Sequence, residues 1–515
     1  MNEAVEPRVW RLSLPDAEAT AGLAHEIAAA LKPGDFITLS GGLGAGKTVF
    51  IRAAIRALSH DPDIEIPSPT FTIIQPYDTP AGSVIHADLY RIGSPDELEN
   101  IGWDDITNGA ITFLEWPERI VETLPPDRLE VILELDRNAG DCVRQVSLNG
   151  YGSWSLRLQR IAAIGNFLRK TGWAQAERHF MLGDASSRRY ERLLLQGKSS
   201  ILMDSPARKP GPPVKFGRSY AEIAHSALDV TPFVALAVGL ATYGFSAPQI
   251  IGMDLENGLL LLEDFGKLEV TDRDGPIPER YAAAIDVLVA LHATQLPTTL
   301  PVGDKEIYQL PNFDRPAMEI EIELLLDWYF PHVGLGLPSQ RMRDAFFSAW
   351  KDPLERVLNG PMTWLLRDYH SPNLMWLPDR EGVRRVGLLD FQDAMIGSPA
   401  YDVAALTMDA RVTVPEVLEL QLVSRYVAGR RHLDSSFDVS IFARDYAIMG
   451  AQRLTKILGI FARLNRRDGK PSYLRHLPRV LIYLKRALAH PSLAGVREWY
   501  ETHLFDHRGE ARHDG

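Results

Sequence analysis

The chain has 515 residues, 45% of them apolar, and a formal net charge of −12. That length calls for two or more domains, and the composition is that of a globular protein rather than a fibrous or disordered one. A single cysteine, Cys142, excludes a disulfide framework and a thiolate metal cluster; with no secretory leader and no long uncharged apolar span to be read, a cytoplasmic protein without membrane attachment is expected.

In chain order, Leu14-Pro15-Asp16 reads as a turn and helix start, followed by an alanine-rich helix over 17–31. Pro33-Gly34-Asp35 ends it and leads to a buried strand, Phe36-Ile37-Thr38-Leu39. Next comes Gly41-Gly42-Leu43-Gly44-Ala45-Gly46-Lys47-Thr48, which fits G-x-x-x-x-G-K-[ST] at every fixed position and opens a helix over 49–58. In such a loop the backbone N–H groups around Gly41, Gly44, Ala45 and Gly46 turn inward toward phosphates, and the helix start adds unpaired N–H groups and the positive end of its dipole. Lys47 then bridges the outer phosphates of ATP and the Thr48 hydroxyl ligates Mg²⁺.

The run Pro67-Ser68-Pro69-Thr70-Phe71-Thr72 predicts an ordered loop into an edge strand, with Thr70 or Thr72 near phosphate or simply in a turn. Two further strands, over 84–91 and 111–116, reach acids at Asp88 and Glu115. At the C-terminal ends of parallel strands, such acids hold Mg²⁺ or orient the attacking water. His86 is read as a packed histidine without a role.

Together, Leu43-Gly44-Ala45-Gly46-Lys47-Thr48, Ser68-Pro69-Thr70-Phe71-Thr72, His86-Ala87-Asp88-Leu89-Tyr90-Arg91 and Glu115-Trp116-Pro117-Glu118 resemble the TsaE family over about residues 10–145. These are small ATPases of bacterial tRNA threonylcarbamoyladenosine synthesis. The resemblance implies Mg-ATP binding, with Lys47 on phosphate, Thr48 and Glu115 at the metal and Asp88 beside it. It also implies work with TsaD- and TsaB-like threonylcarbamoyltransferase proteins, tRNA being met only indirectly. Gly42 stands where the family usually has Asp, and Val49 where it usually has a second Thr; the motif core survives, so ATPase activity is expected. Residues 1–150 hold 11 basic and 24 acidic residues, a net of −13, whereas the remainder nets +1. Such an acidic surface suits a basic protein partner or serves solubility, and is poorly suited to grip a nucleic-acid backbone alone.

Asn149-Gly150-Tyr151-Gly152-Ser153 reads as the linker between a first module, 1–150, and a second, 155–505. The second module opens with a helical pattern over 156–168. Leu182-Gly183-Asp184-Ala185-Ser186-Ser187-Arg188-Arg189-Tyr190 reads as a hairpin turn with a phosphate-covering role as the alternative. Strands follow over 191–195, 200–204 and 258–262, with an exposed proline-rich basic loop over 206–213. Glu263-Asp264-Phe265-Gly266 is placed between two lobes, its backbone facing adenine. Helices are predicted over 281–293, 317–329, 341–358, 414–426, 442–461 and 477–488, with His292 in the core.

Between those helices, Arg367-Asp368-Tyr369-His370-Ser371-Pro372-Asn373 and Leu388-Leu389-Asp390 carry the logic of kinase phosphoryl transfer. Asp368 accepts the acceptor's hydroxyl proton, and Asn373 and Asp390 hold Mg²⁺ on the ATP phosphates. With Ser398-Pro399-Ala400-Tyr401-Asp402, these motifs resemble the aminoglycoside phosphotransferase-like kinases. Gly183-Asp184-Ala185-Ser186-Ser187-Arg188-Arg189-Tyr190 and Leu202-Met203-Asp204-Ser205-Pro206 point more narrowly to the AmgK type, which phosphorylates the anomeric hydroxyl of N-acetylmuramate and N-acetylglucosamine in cell-wall recycling. By that resemblance Asp402 supports the loop. The usual kinase lysine is missing from Ile201-Leu202-Met203; Lys198, Arg188, Arg189 and Lys215 are the candidates to replace it.

The expectation is an α/β P-loop NTPase domain followed by a two-lobed, protein-kinase-like α+β domain, joining a tRNA-modification ATPase to an amino-sugar kinase. The chief alternative is an ATP-switched docking module joined to a binding-only kinase fold. A weaker one makes the first module itself a small-molecule kinase.

Overall fold

The computed structural model describes residues 8–61, 63–93, 96–99, 101–140, 142–181, 188–303 and 306–505. The chain divides into two units, Met1–Ala176 and Glu177–Gly515.

The first unit is built on one seven-stranded sheet. Its elements are β1 (Arg8–Leu14), α1 (Ala17–Ala28), β2 (Phe36–Ser40), α2 (Lys47–Ser59), β3 (Ile74–Thr79), β4 (Gly82–Asp88), β5 (Ile111–Glu115), β6 (Leu129–Leu135) and β7 (Arg144–Gly150). The strand order is β1-β7-β6-β2-β5-β4-β3. The central strands β6, β2, β5 and β4 are parallel, while β1, β7 and β3 pair antiparallel at the flanks, so the sheet is mixed. Buried on both faces, β2 and β5 read as unbroken burial rather than alternation. Asp16 caps α1 by accepting from the Ala19 N–H at 2.8 Å. The register aligns Leu39 of β2 with Glu115 of β5, and Glu115 with Asp88 of β4, so three strand ends converge beside the loop that follows β2. The expected edge strand after the Pro67–Thr72 run is β3, at the end of the sheet.

The boundary lies later than the turn at 149–153 predicts. Asn149 and Gly150 belong to β7. The helix Ser153–Thr171, expected to open the second module, packs on the first unit and buries Trp154, Leu158 and Ile161 in its core beside Trp10, Leu14 and Ile27. Arg157 on that helix pairs both guanidinium arms with Asp35 at 2.6 Å, just ahead of β2. A β-carbon at Gly150 would lie 2.5 Å from the Trp154 carbonyl oxygen, so glycine here lets the helix turn tightly back onto the sheet. Turn chemistry inside a unit is the same as turn chemistry between units, which is why the sequence pattern misplaces the break.

The second unit has a strand-rich lobe and a helical lobe. The lobe's five-stranded antiparallel sheet runs Ile250–Asp254, Leu259–Glu263, β10 (Lys198–Asp204), β9 (Arg189–Leu195) and β8 (Glu177–Met181). The helix Thr231–Thr242, apolar almost all round and absent from the sequence reading, is buried in the unit's core. Helices Pro278–Ala293, Arg315–Leu324, Gln340–Leu358, Glu416–Leu433, Val439–Asp468 and Leu477–Leu488 form the large lobe where the periodicity predicts them. Two small antiparallel ladders, Thr363–Leu365 with Met395–Gly397 and Leu374–Trp376 with Val386–Leu388, frame the segments that carry Asp368, Asn373 and Asp390. Among the described residues no helix is long and apolar enough to cross a membrane.

Candidate functional site

In the first unit the loop 41–48 joins β2 to α2 as the motif requires. Gly41 has φ 137°, and a β-carbon there would meet the Leu133 carbonyl oxygen at 2.2 Å, so the chain passes β6 only as glycine. Gly46, at φ 109°, delivers the chain to the first turn of α2. Lys47 is 5% exposed and curls back over the loop, donating to the Gly41 and Gly42 carbonyls at 2.7 and 3.1 Å, with its ammonium 4.0 Å from the Trp116 ring centre. Burial lowers its pKa, against the opposing pull of Glu115, Glu118 and Asp88. Arg144, on β7, donates to the Ala45 carbonyl at 3.0 Å and braces the loop from outside.

Both strand-end acids are buried at this loop. The Thr48 hydroxyl donates to Glu115 Oε1 at 3.0 Å, and the same oxygen lies 3.1 Å from His86 Nε2. Asp88 accepts from the Thr70 hydroxyl at 2.8 Å and the Tyr90 N–H at 2.9 Å. Of the two threonines in the preceding loop, then, it is Thr70 that reaches the acids, while Thr72 is exposed. Ile73, just after them, has φ 65°, an unfavourable value for a β-branched residue; its carbonyl accepts from the Asp88 N–H at 2.9 Å. His86, read from the sequence as packing alone, is fully buried and touches Glu115; its position in a strand ending in an acid two residues on is the only signal that could have suggested this. Gly42 is exposed with open space around it.

In the second unit a cleft of about 700 Å³ is lined by Asp368, Asn373 and Asp390 together, with Arg188 beside them. The three therefore meet although 22 positions separate the first from the last. Asp368 sits in a tight loop: its carbonyl accepts from Asn373 Nδ2 at 3.0 Å and from the His370 N–H at 3.0 Å. Arg367 and Asp390 have left-handed backbones, at φ 66° and 54°, a strain held by the surroundings as is common at functional sites. Asp402, fully buried, accepts from the Leu366 and Arg367 N–H groups at 2.6 and 2.9 Å and so clamps the loop. The Arg367 guanidinium is buried against Glu321, which also takes Lys456 at 2.7 Å and Gln452 at 3.0 Å. Burial, with Arg411 and Arg453, holds His370 at about 3, so it is neutral at ordinary pH.

Of the four candidates for the missing lysine, Arg188 is the one that the structure brings to Asp390. Its Nη1 lies 2.5 Å from Asp390 Oδ1, and it lines the cleft; Lys198 and Arg189 are exposed, and Lys215 pairs with Glu323 at 3.3 Å. Burial pushes Asp390 up, Arg188 pulls it down, and Asp368 and Asp393 push it up again. The expected turn over Gly183–Ser187 lies outside the described residues. The proline-rich loop is more than an exposed linker, since Arg208 to Pro212 form a wall of the cleft. His292 is core as expected, bonded to Tyr426 at 2.9 Å. Asp264, after the strand Leu259–Glu263, is held by Arg192 at 2.7 and 3.1 Å.

A phosphate loop flanked by strand-end acids, and an Asp, Asn and Asp set between two lobes, define an ATP-using chain with two phosphoryl-handling sites. Residues 14–145 match the model of threonylcarbamoyl adenosine biosynthesis protein TsaE, and residues 179–434 that of the phosphotransferase enzyme family. The N-acetylmuramate/N-acetylglucosamine kinase of Caulobacter vibrioides is 35% identical over 374 residues, covering 68% of this chain and 98% of that protein. The tRNA threonylcarbamoyladenosine biosynthesis protein TsaE of Rickettsia felis is 42% identical over 132 residues, covering 25% of this chain and 77% of that protein. A solved choline/ethanolamine kinase family protein from Mesorhizobium loti matches with a TM-score of 0.41 at 15% identity, over 67% of this chain and 99% of that one. The chain belongs to the TsaE family in its first unit and to the N-acetylmuramate/N-acetylglucosamine kinase family in its second. It is a bifunctional, ATP-dependent enzyme; the binding-only alternative for the kinase fold finds no support in these relatives.

Proposed function

We propose that the second unit transfers the γ-phosphoryl group of ATP to the anomeric hydroxyl of an N-acetyl amino sugar, and that the first unit hydrolyses ATP in support of tRNA threonylcarbamoyladenosine synthesis. The observation that carries the kinase reading is the meeting of Asp368, Asn373, Asp390 and Arg188 in one cleft. Asp368 takes the proton from the sugar hydroxyl; its oxygen bonds to the γ-phosphorus as the bond to the β,γ-bridging oxygen breaks, and ADP leaves. Arg188 neutralises phosphate charge in place of the usual lysine.

Among the described residues no cluster of three or more His, Cys, Asp or Glu side chains could hold a metal unaided. That suits Mg²⁺, which takes few protein ligands and completes its shell with phosphates and water. Asn373 and Asp390 would hold it in the second unit, and Thr48 and Glu115 in the first, where a hydroxyl and a carboxylate already lie 3.0 Å apart. When bound, the metal would neutralise charge on the phosphates. Lys47 and the loop N–H groups hold the phosphates in the first unit, and Asp88, itself held by the Thr70 hydroxyl, orients the attacking water.

The acidic first unit docks on TsaD- and TsaB-like proteins, tRNA being reached only through them. Both reactions draw on ATP, which fits a cytoplasmic protein. Labelled ATP with the full chain and either N-acetylmuramate or N-acetylglucosamine tests the kinase: sugar phosphate should form, and Asp368→Ala should lower its rate by roughly 10²–10⁴-fold. Absence of transfer to both sugars would overturn the reading.

A further inference from the structure

Among the described residues, the cleft holds a buried cation that no carboxylate neutralises. The helix Val439–Asp468 presents Arg453, Lys456 and Arg463 to it, at helical spacings of three and seven residues. Lys456 is paired with Glu321 at 2.7 Å. Arg453 is 4% exposed, yet among the described residues no carboxylate pairs with it and no hydrogen-bond acceptor takes its N–H groups; its Nη1 is buried without a partner. Arg463 is similar in kind: its Nε is buried and unpartnered, and its guanidinium lies 5.2 Å from the Tyr220 ring centre.

A buried guanidinium without a counter-charge is costly. Its presence in the wall of an open cleft points to an anion supplied from outside. ATP is one source, but the phosphoryl end of the cleft already has Arg188 and the metal-binding residues. The segment Glu263 to Gly266, expected at the adenine, does not line this cleft. The basic helix therefore borders the part of the cleft that receives the acceptor.

We propose that Arg453, assisted by Arg463, binds a carboxylate on the acceptor sugar. This rests on the amino-sugar kinase reading and sharpens it. An N-acetyl amino sugar bearing an acidic ether substituent, as N-acetylmuramate does through its lactyl group, is selected over neutral N-acetylglucosamine. The lactyl carboxylate meets the guanidinium that otherwise stays unpaired, whereas the neutral sugar leaves it so.

The test is steady-state kinetics of the full chain with each sugar, for the wild type and Arg453→Met. The variant should lose roughly 10²-fold in kcat/KM for N-acetylmuramate while N-acetylglucosamine and the KM for ATP change by less than about 3-fold. An equal loss with both sugars, or a raised KM for ATP, would assign Arg453 to phosphate and overturn the proposal. A second measurement separates this proposal from the kinase reading. D-Lactate, the acidic substituent alone, should raise the Tm of the wild type and not that of Arg453→Met. If the wild type phosphorylates neither sugar but shows this difference, the anion site stands and the sugar-kinase reading falls; equal shifts in both proteins overturn the anion site itself.

Discussion

Arg188 and Asp390, 202 positions apart, meet at 2.5 Å in the lining of the kinase cleft. Arg188 stands immediately before β9 in the strand-rich lobe, and Asp390 follows the strand Val386–Leu388 in the helical lobe. The pair thus couples the two lobes through the carboxylate assigned to the metal. Gln392 adds a second donor to Asp390 at 3.0 Å.

If Arg188 replaces the kinase lysine, Arg188→Met should raise the KM for ATP and lower kcat of sugar phosphorylation, for a combined loss of roughly 10²–10³-fold, comparable with removal of one electrostatic transition-state donor. Initial rates at varied ATP check this. A variant with unchanged ATP kinetics would leave Arg188 as a lobe tie only.

Lys47→Ala addresses the other site. The ammonium is held on the loop's own carbonyls at 2.7 and 3.1 Å, poised where the outer phosphates of ATP would lie. The change should abolish the first unit's ATPase and leave sugar phosphorylation intact. Measuring both reactions on the same preparation checks it, and loss of both together would contradict separate sites.

His86 has one ring nitrogen 3.1 Å from Glu115 and the other, Nδ1, buried without a partner among the described residues. It orients a carboxylate that we assign to the metal, and such supporting groups commonly contribute 10–100-fold to metal affinity. His86→Leu should therefore raise the Mg²⁺ concentration that half-activates the ATPase by about 10-fold or more. A Mg²⁺ titration with unaltered midpoint would make His86 a packing residue after all.

Much of this was legible in the sequence because it is local. The phosphate loop fixes strand, turn and helix within a dozen residues, and Asp88 and Glu115 announce themselves as acids at the ends of apolar runs. Asp368, Asn373 and Asp390 are close enough in sequence to be read as one pattern. What escaped is long-range or context-bound. Arg188 was one basic residue among four until folding carried it across to Asp390. His86 looked like any core histidine because its partner lies on the neighbouring strand, 29 positions away. Arg453 sits in a helix with other arginines, and only its burial without a counter-ion among the described residues distinguishes it.

Glu321 tests how the catalytic loop is supported. It is fully buried and binds Arg367 and Lys456. Burial pushes its carboxyl up, but Lys456 and then Arg367 outweigh that and hold it below the ordinary range. Glu321→Ala leaves the buried Arg367 and the half-buried Lys456 without their shared counter-charge, so stability should fall by about 3–5 kcal/mol, read from chemical denaturation. Because the folded-state value is depressed, the wild-type contribution is present above the ordinary carboxylate value and is lost as pH falls through the lowered one. The variant's stability should vary less over that acid range.

The boundary between the units gives the last prediction. A fragment ending at residue 150 removes Trp154, Leu158 and Ile161 from the first unit's core and breaks the Arg157–Asp35 pair. Each buried apolar side chain contributes about 1.5–3 kcal/mol, so their loss together approaches the roughly 5–15 kcal/mol by which whole domains are stable. The exposed strip on β1, α1 and β7 would also invite aggregation. Residues 1–150 should therefore show no cooperative thermal transition, whereas residues 1–176 should melt cooperatively and gain stability with Mg-ATP. Circular dichroism melts of the two fragments check this. A cooperative, ATP-stabilised melt of 1–150 at the same temperature would return the boundary to the turn at 149–153 and make the helix Ser153–Thr171 an accessory.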